Sequence, residues 1–93
     1  MNYQIQSIHF SADKILKSFI RKKIDKLINI HTNIISAEIF LKIENQGSHN
    51  NKLVEIKLNA PYSEYFAKKQ SDSFEESVDL VFQALRKQIL KNK

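Results

Sequence analysis

Lysine and arginine side chains are concentrated in two stretches of this 93-residue chain. Residues 13–26 contain six basic side chains and two acidic ones, a local balance of +4, and residues 84–93 contain four basic side chains and no acid. The whole chain carries a net charge of +5. Ammonium and guanidinium groups bind phosphate, so these stretches predict electrostatic binding to a polyanion, most often nucleic acid.

The residue types that support catalysis are sparse. No cysteine is present, which excludes disulfides, thiolate metal sites and cysteine nucleophiles. His9, His31 and His49 are 22 and 18 residues apart, so none has the spacing of paired metal ligands. The adjacent acids Glu75 and Glu76 are explained by the start of a helix. We therefore expect no enzymatic activity, no metal, no cofactor and no small-molecule substrate.

The first basic stretch belongs to a predicted amphipathic helix that follows a short strand. Residues 3–10 alternate apolar and polar side chains as far as Ser7, which predicts a half-buried strand that ends or bulges near Ile8. Ser11 is the expected N-cap, with Asp13 in the first turn. From residue 15 the period becomes helical, and residues 29–33 form the expected exit loop.

Basic side chains flank the apolar stripe of this helix on both sides. Lys17 and Arg21 fall on one flank, and Lys22, Lys23 and Lys26 fall on the other. Compensation of the helix dipole explains cations only near the C-terminus, whereas these run from the first turn to the last. Like charges spaced along a helix also lower its stability, so another reason for them is needed. We interpret them as a phosphate-binding surface.

Three further strands are expected in the middle of the chain. Residues 35–43 and 53–60 alternate between two faces, and the expected buried faces begin with Ile35 and Val54. The loop between these strands holds the only glycine. Pro61 ends the second of these strands. Residues 65–69 form a poorer fourth strand, whose lysines are typical of a sheet edge.

A second helix closes the predicted fold. Ser73 and Glu76 have the spacing of a capping box, and apolar residues then recur every three or four positions. The fold class is α+β with the order β-α-β-β-β-α, and both helices pack on one face of a four-stranded sheet. Their exposed flanks then merge into one positive surface. This architecture resembles that of the double-stranded-RNA-binding domain, which shares its strand-strand-strand-helix core.

Two segments resemble the ribosome hibernation promoting factors, the family that includes the ribosome-associated inhibitor called protein Y. Residues 15–27 are similar to the family's basic first helix, with its closing Lys-Leu pair at Lys26 and Leu27. Residues 77–79 and 85–91 are similar to its second helix, with an apolar-Asp pair followed by Leu-x-Arg/Lys-Gln-Leu-x-Lys. The resemblance covers the whole chain and is to the short form, a single ribosome-binding domain over residues 1–93, without the C-terminal dimerisation domain of long members.

The resemblance implies a cytoplasmic protein that binds the small ribosomal subunit and its rRNA between head and body. There it overlaps the mRNA channel and the A- and P-site tRNA positions, and inhibits translation under stress. We expect no membrane partner and a monomer when free. The rRNA-binding residues that match the family are Lys17, Lys23, Lys26, Lys87 and Lys91. Those added on charge and position are Arg21, Lys22, Arg86 and Lys93.

Two other interpretations remain open at this point. A stand-alone double-stranded-RNA-binding module shares the strand-strand-strand-helix core, although such modules present consecutive basic residues where Glu75 and Glu76 stand here. A small assembly subunit with solvated lysines would bind no nucleic acid. Sedimentation with ribosomes, with duplex RNA or with neither separates these hypotheses.

Overall fold

A computed structural model describes residues 2–8, 10–30, 33–45, 47 and 49–91. The predicted order of elements is confirmed. The six elements are β1 (Asn2–Ile8), α1 (Lys14–Ile30), β2 (Ser36–Ile43), β3 (Lys52–Ala60), β4 (Ser63–Ser71) and α2 (Phe74–Lys91).

The four strands form one mixed sheet in the order β1-β2-β3-β4. β1 is parallel to β2, with Ile5 opposite Ile39, and the two later pairs are antiparallel. A parallel pair needs a crossover, and α1 supplies it. β3 turns directly into β4 through Pro61 and Tyr62. β4 is an edge strand, as its lysines predicted, and β1 forms the other edge.

A single hydrophobic core lies between the sheet and both helices. It contains the inward residues of β2, β3 and β4 together with the apolar stripes of α1 and α2. Ile20 and Ile24 of α1 and Val81 and Leu85 of α2 are completely buried in it. Because one cluster holds residues of both helices, α1 and α2 pack on the same face of the sheet, as predicted.

The start of α1 corrects the sequence interpretation. The backbone N–H of Leu16 donates to Asp13 Oδ1 at 2.8 Å, and the N–H of Lys17 donates to the Asp13 carbonyl at 3.1 Å. Asp13 is therefore the N-cap, because a carboxylate three residues before a free N–H reaches it directly. Ser11 is two residues too early for this bond. α1 also continues to Ile30, so the exit loop begins later than expected.

The start of α2 agrees with the predicted cap. The Ser73 hydroxyl accepts the N–H of Glu76 at 3.1 Å. In the next turn the Ser77 hydroxyl donates to the Lys52 carbonyl at 2.6 Å and lies 2.7 Å from the Ser71 hydroxyl. These bonds attach the N-terminal end of α2 to the end of β4 and the beginning of β3.

Two apolar residues differ from their expected positions in the sheet. Ile35 precedes β2 and is 55% exposed, whereas its neighbour Ile34 is buried. Leu53 was expected on the polar face of β3 but is only 3% exposed. It lies opposite Lys42 and Gln70 in the register, and alternation alone does not reveal such flanking by long side chains.

Candidate nucleic-acid interface

The two helices run in the same direction across the sheet. α1 returns from the end of β1 to the start of β2, so it runs opposite to both strands. The first turn of α2 contacts Ser71 and Lys52, and Gln88 near its C-terminal end contacts Phe66. α2 therefore runs opposite to β4, which is itself parallel to β1. The C-terminal ends of both helices therefore lie at the same end of the molecule.

The predicted basic residues of α1 are exposed, with one exception. Lys17 and Arg21 are one turn apart on the flank near β1, and Lys22 and Lys26 are one turn apart on the opposite, outward flank. Within its 17 residues α1 holds six basic side chains and Asp25 as its one acid. These cations are spread along the helix and not confined to its C-terminal turn.

The basic residues of α2 occupy its second half. Arg86, Lys87 and Lys91 are all exposed. Lys87 and Lys91 lie one turn apart, so they point in nearly the same direction. The acids of α2 are all in its first half, where Glu75 and Glu76 lie beside the N-terminal dipole. Lys93, added to the site on charge and position, lies outside the described residues.

Lys23 is the predicted site residue that the structure places differently from the others. Its ammonium lies 2.7 Å from Asp79 Oδ1 on α2, and its side chain is 21% exposed. The same ammonium lies 5.5 Å from the ring centre of Phe19 and 5.1 Å from that of Phe82. Lys23 therefore lies between the helices. The pairing of Lys23 with Asp79 could not be predicted from the sequence, because only the packing of α1 on α2 brings these residues together.

Arg21 belongs to a small cluster where α1 passes over β1. Its guanidinium carbon lies 5.5 Å from the ring centre of Tyr3, and the Tyr3 hydroxyl donates a hydrogen bond to Asp25 Oδ1. Burial, followed by this hydrogen bond and the Asp25 charge, raises the pKa of Tyr3 to about 12. The cluster fixes the β1 flank of α1 against the sheet edge and leaves the Arg21 side chain exposed.

The uncovered face of the sheet is different in character. It forms an open groove of about 470 Å³, lined by the glutamine side chains of β1, by Phe40 and Phe66, and by charged residues of both signs. Lys57 lies 3.9 Å from Glu38 and 3.8 Å from Glu64, so its charge is compensated locally. Among the described residues this face has no surplus of cations, in contrast to the face formed by α1 and α2.

The described residues offer little for chemistry other than binding. No three His, Cys, Asp or Glu side chains come together there in a way that could hold a metal ion. His49 is exposed in the loop before β3, and His9 and His31 lie outside the described part of the chain. Neither α1 nor α2 has the length and apolar character needed to cross a bilayer.

Comparisons with known proteins agree with this fold. A ribosomal subunit interface protein from Coxiella burnetii has a TM-score of 0.88 and 23% identity, and the match covers 99% of this chain and 97% of that one. The N-terminal domain of Thermus thermophilus Protein Y has a TM-score of 0.84 and 15% identity, with full coverage of both chains. At these identities the likeness concerns the fold. A search of curated protein sequences found no match.

The sequence itself matches one family. The family described as sigma 54 modulation protein / S30EA ribosomal protein aligns with residues 3–93, which is nearly the whole chain. The alignment includes both helices that carry the exposed basic residues. This chain therefore belongs to the sigma 54 modulation protein / S30EA ribosomal protein family.

Proposed function

We propose that this protein is a ribosome hibernation factor. It binds the small ribosomal subunit in the cleft between head and body, with α1 and the C-terminal half of α2 against rRNA. In that position it occupies the mRNA channel and the A- and P-site tRNA positions, and it inhibits translation under stress by excluding both ligands. The family membership supports this proposal, as does the resemblance to ribosome-associated relatives.

One observation carries the proposal: seven of the predicted basic side chains are exposed on α1 and α2, two helices that share a face of the sheet. They are Lys17, Arg21, Lys22, Lys26, Arg86, Lys87 and Lys91. None of the seven has an ion-pair partner among the described residues. A phosphate can therefore bind them without first displacing a carboxylate.

The affinity then comes mainly from released counterions. A protein that neutralises about five phosphates should show log K falling with log salt at a slope of about −4.5, using the duplex-DNA coefficient for folded RNA. Recognition of this kind depends on backbone and shape, as in other proteins that bind structured RNA. The acidic first half of α2 repels phosphate and limits the contact to its second half.

Inhibition follows from occupancy alone. A domain that fills the channel prevents mRNA and tRNA from binding without any chemical step, so no catalytic residue, metal or cofactor is required. We propose that the free protein is a cytoplasmic monomer, with one protein bound per small subunit. Binding of mRNA and tRNA to the same channel should therefore compete with it.

Density-gradient sedimentation with purified small subunits, large subunits and a short duplex RNA tests the proposal. We expect the protein to migrate with small subunits and to reduce cell-free translation, with the inhibition weakened when mRNA and tRNA occupy the ribosome first. Equal binding to the duplex would indicate a general double-stranded-RNA-binding module. Migration with none of the three would mean that the basic residues only keep the protein soluble.

A further inference from the structure

The Lys23 side chain contacts three other side chains of its own chain. Its ammonium is 2.7 Å from the Asp79 carboxylate. The same ammonium is 5.5 Å from the ring centre of Phe19 and 5.1 Å from that of Phe82. Both ring distances are within the range of a cation–π contact. Asp79 and Phe82 are on α2, whereas Phe19 is on α1. The Lys23 side chain therefore links the two helices.

The neighbouring Lys26 provides a direct comparison. It is also on α1, three residues later, but it is exposed and has no ion-pair partner among the described residues. To bind a phosphate, Lys23 would have to leave a carboxylate and two ring faces, whereas Lys26 gives up only water. The two lysines therefore have different costs of binding RNA, although both match the family's basic helix.

We propose that Lys23 is a positioning residue, which acts through Asp79 and does not itself neutralise a phosphate. The inference rests on the proposed function, since it assigns a role within the same RNA-binding surface. The ion pair fixes the rotation and spacing of α1 relative to α2. With that geometry set, the outward lysines of α1 and the basic residues of α2 meet one RNA surface together.

The dependence of affinity on salt separates positioning from contact. Lys26→Met should make the slope of log K against log salt shallower by about 0.9, because one phosphate contact is lost. Lys23→Met keeps most of the aliphatic stem and should leave the slope unchanged. It should weaken binding by about threefold to tenfold at every salt concentration, the size expected when two packed residues lose their coupling.

Asp79→Asn is the sharper variant, because positioning and general electrostatics predict opposite signs. Removing this carboxylate makes the protein more positive, so simple charge attraction predicts tighter RNA binding. If the pair positions the helices, Asp79→Asn should weaken binding by about threefold to tenfold, as Lys23→Met does, because the same coupling is lost. Glu76→Gln is the matched control, since it makes the same charge change on an exposed acid of the same helix. It should leave binding unchanged or strengthen it.

Salt-dependent pelleting with small subunits, with circular dichroism to confirm folding, decides the matter. The double variant Lys23→Asp with Asp79→Lys restores opposite charges and should recover most of the affinity. A shallower slope for Lys23→Met, or tighter binding by Asp79→Asn, overturns the inference while the proposed function stands. If the unmodified protein does not bind small subunits at all, the proposed function and the inference both fail.

Discussion

The side-chain amide of Gln88 on α2 hydrogen-bonds both backbone groups of Phe66 on β4. The Phe66 N–H donates to Gln88 Oε1 at 3.2 Å, and Gln88 Nε2 donates to the Phe66 carbonyl at 2.6 Å. β4 is an edge strand, and free N–H and C=O groups on an edge can pair with another chain. Gln88 thus occupies a backbone pairing position in the middle of this edge.

Gln88→Leu should expose that position. We expect a loss of about 0.5–1.5 kcal/mol in the free energy of unfolding, since water replaces the lost hydrogen bonds. We also expect a stronger tendency to associate at high protein concentration. Urea unfolding and light scattering measure the two effects. Gln83→Leu is the matched control, because Gln83 is an exposed glutamine of the same helix. Identical behaviour of the two variants would show that Gln88 does not protect the edge.

The Tyr3 hydroxyl should titrate unusually late. Its pKa is raised from the ordinary value of 10.0 to about 12, first by burial and then by Asp25. The folded state therefore holds this proton where the unfolded chain loses it. The stabilisation is fully present below pH 10.0 and is lost as the pH rises toward about 12. Ultraviolet titration should show that the Tyr3 tyrosinate forms late, near pH 12.

Two variants test the cause of the Tyr3 shift. Tyr3→Phe should remove the late absorbance change and flatten the alkaline part of the curve of stability against pH. Asp25→Asn should lower the pKa of Tyr3 by removing the negative charge, although the effect of burial remains. An unchanged Tyr3 titration in Asp25→Asn would mean that Asp25 contributes nothing to it.

The cap of α1 gives a stability prediction. Asp13→Ala should lower the free energy of unfolding by about 1 kcal/mol, because the N–H of Leu16 loses its acceptor. Ser11→Ala should change it by less than about 0.5 kcal/mol, as most exposed substitutions do. Urea unfolding of the two variants side by side measures the difference. A larger loss for Ser11→Ala than for Asp13→Ala would show that Ser11, and not Asp13, is the N-cap.

The sequence was sufficient for the elements and their inward faces, because alternation and helical period are local properties of the chain. Residues such as Ile39, Ile56 and Val78 lie in the core as expected. It was insufficient where a residue's environment comes from another element. Lys23 falls on the edge of the apolar stripe of α1, and only α2 supplies Asp79 as its partner. Gln88 likewise acquires its role from β4.

The candidate surface could likewise be predicted only where it depends on local sequence patterns. Residue type and spacing predicted exposed cations on both helices, and seven of the predicted basic residues are exposed. The merging of two flanks into one layer required the sheet topology, which the predicted crossover supplied. The proposed division between contacting and positioning lysines could not be predicted, since it depends on the rotation of one helix against the other.

Charge reversal on either helix should abolish ribosome binding. Lys22→Glu with Lys26→Glu reverses the outward flank of α1, and Lys87→Glu with Lys91→Glu reverses the second half of α2. All four side chains are exposed, so the fold should survive. Each pair lowers the net charge from +5 to +1. We expect each to weaken binding to small subunits by about 100-fold or more, since phosphate contacts become repulsions.

Lys68→Glu with Lys69→Glu is the control for this measurement. It makes the same change in net charge on β4, using two exposed lysines without an ion-pair partner among the described residues. The most direct test of the proposed RNA-binding helix surface is equilibrium pelleting of all three double variants with small subunits at one salt concentration. We expect that both helix pairs fail to pellet while the β4 pair binds within about tenfold of the unmodified protein. Equal losses from all three pairs would contradict it, because the ribosome would then be sensing total charge and not a defined surface.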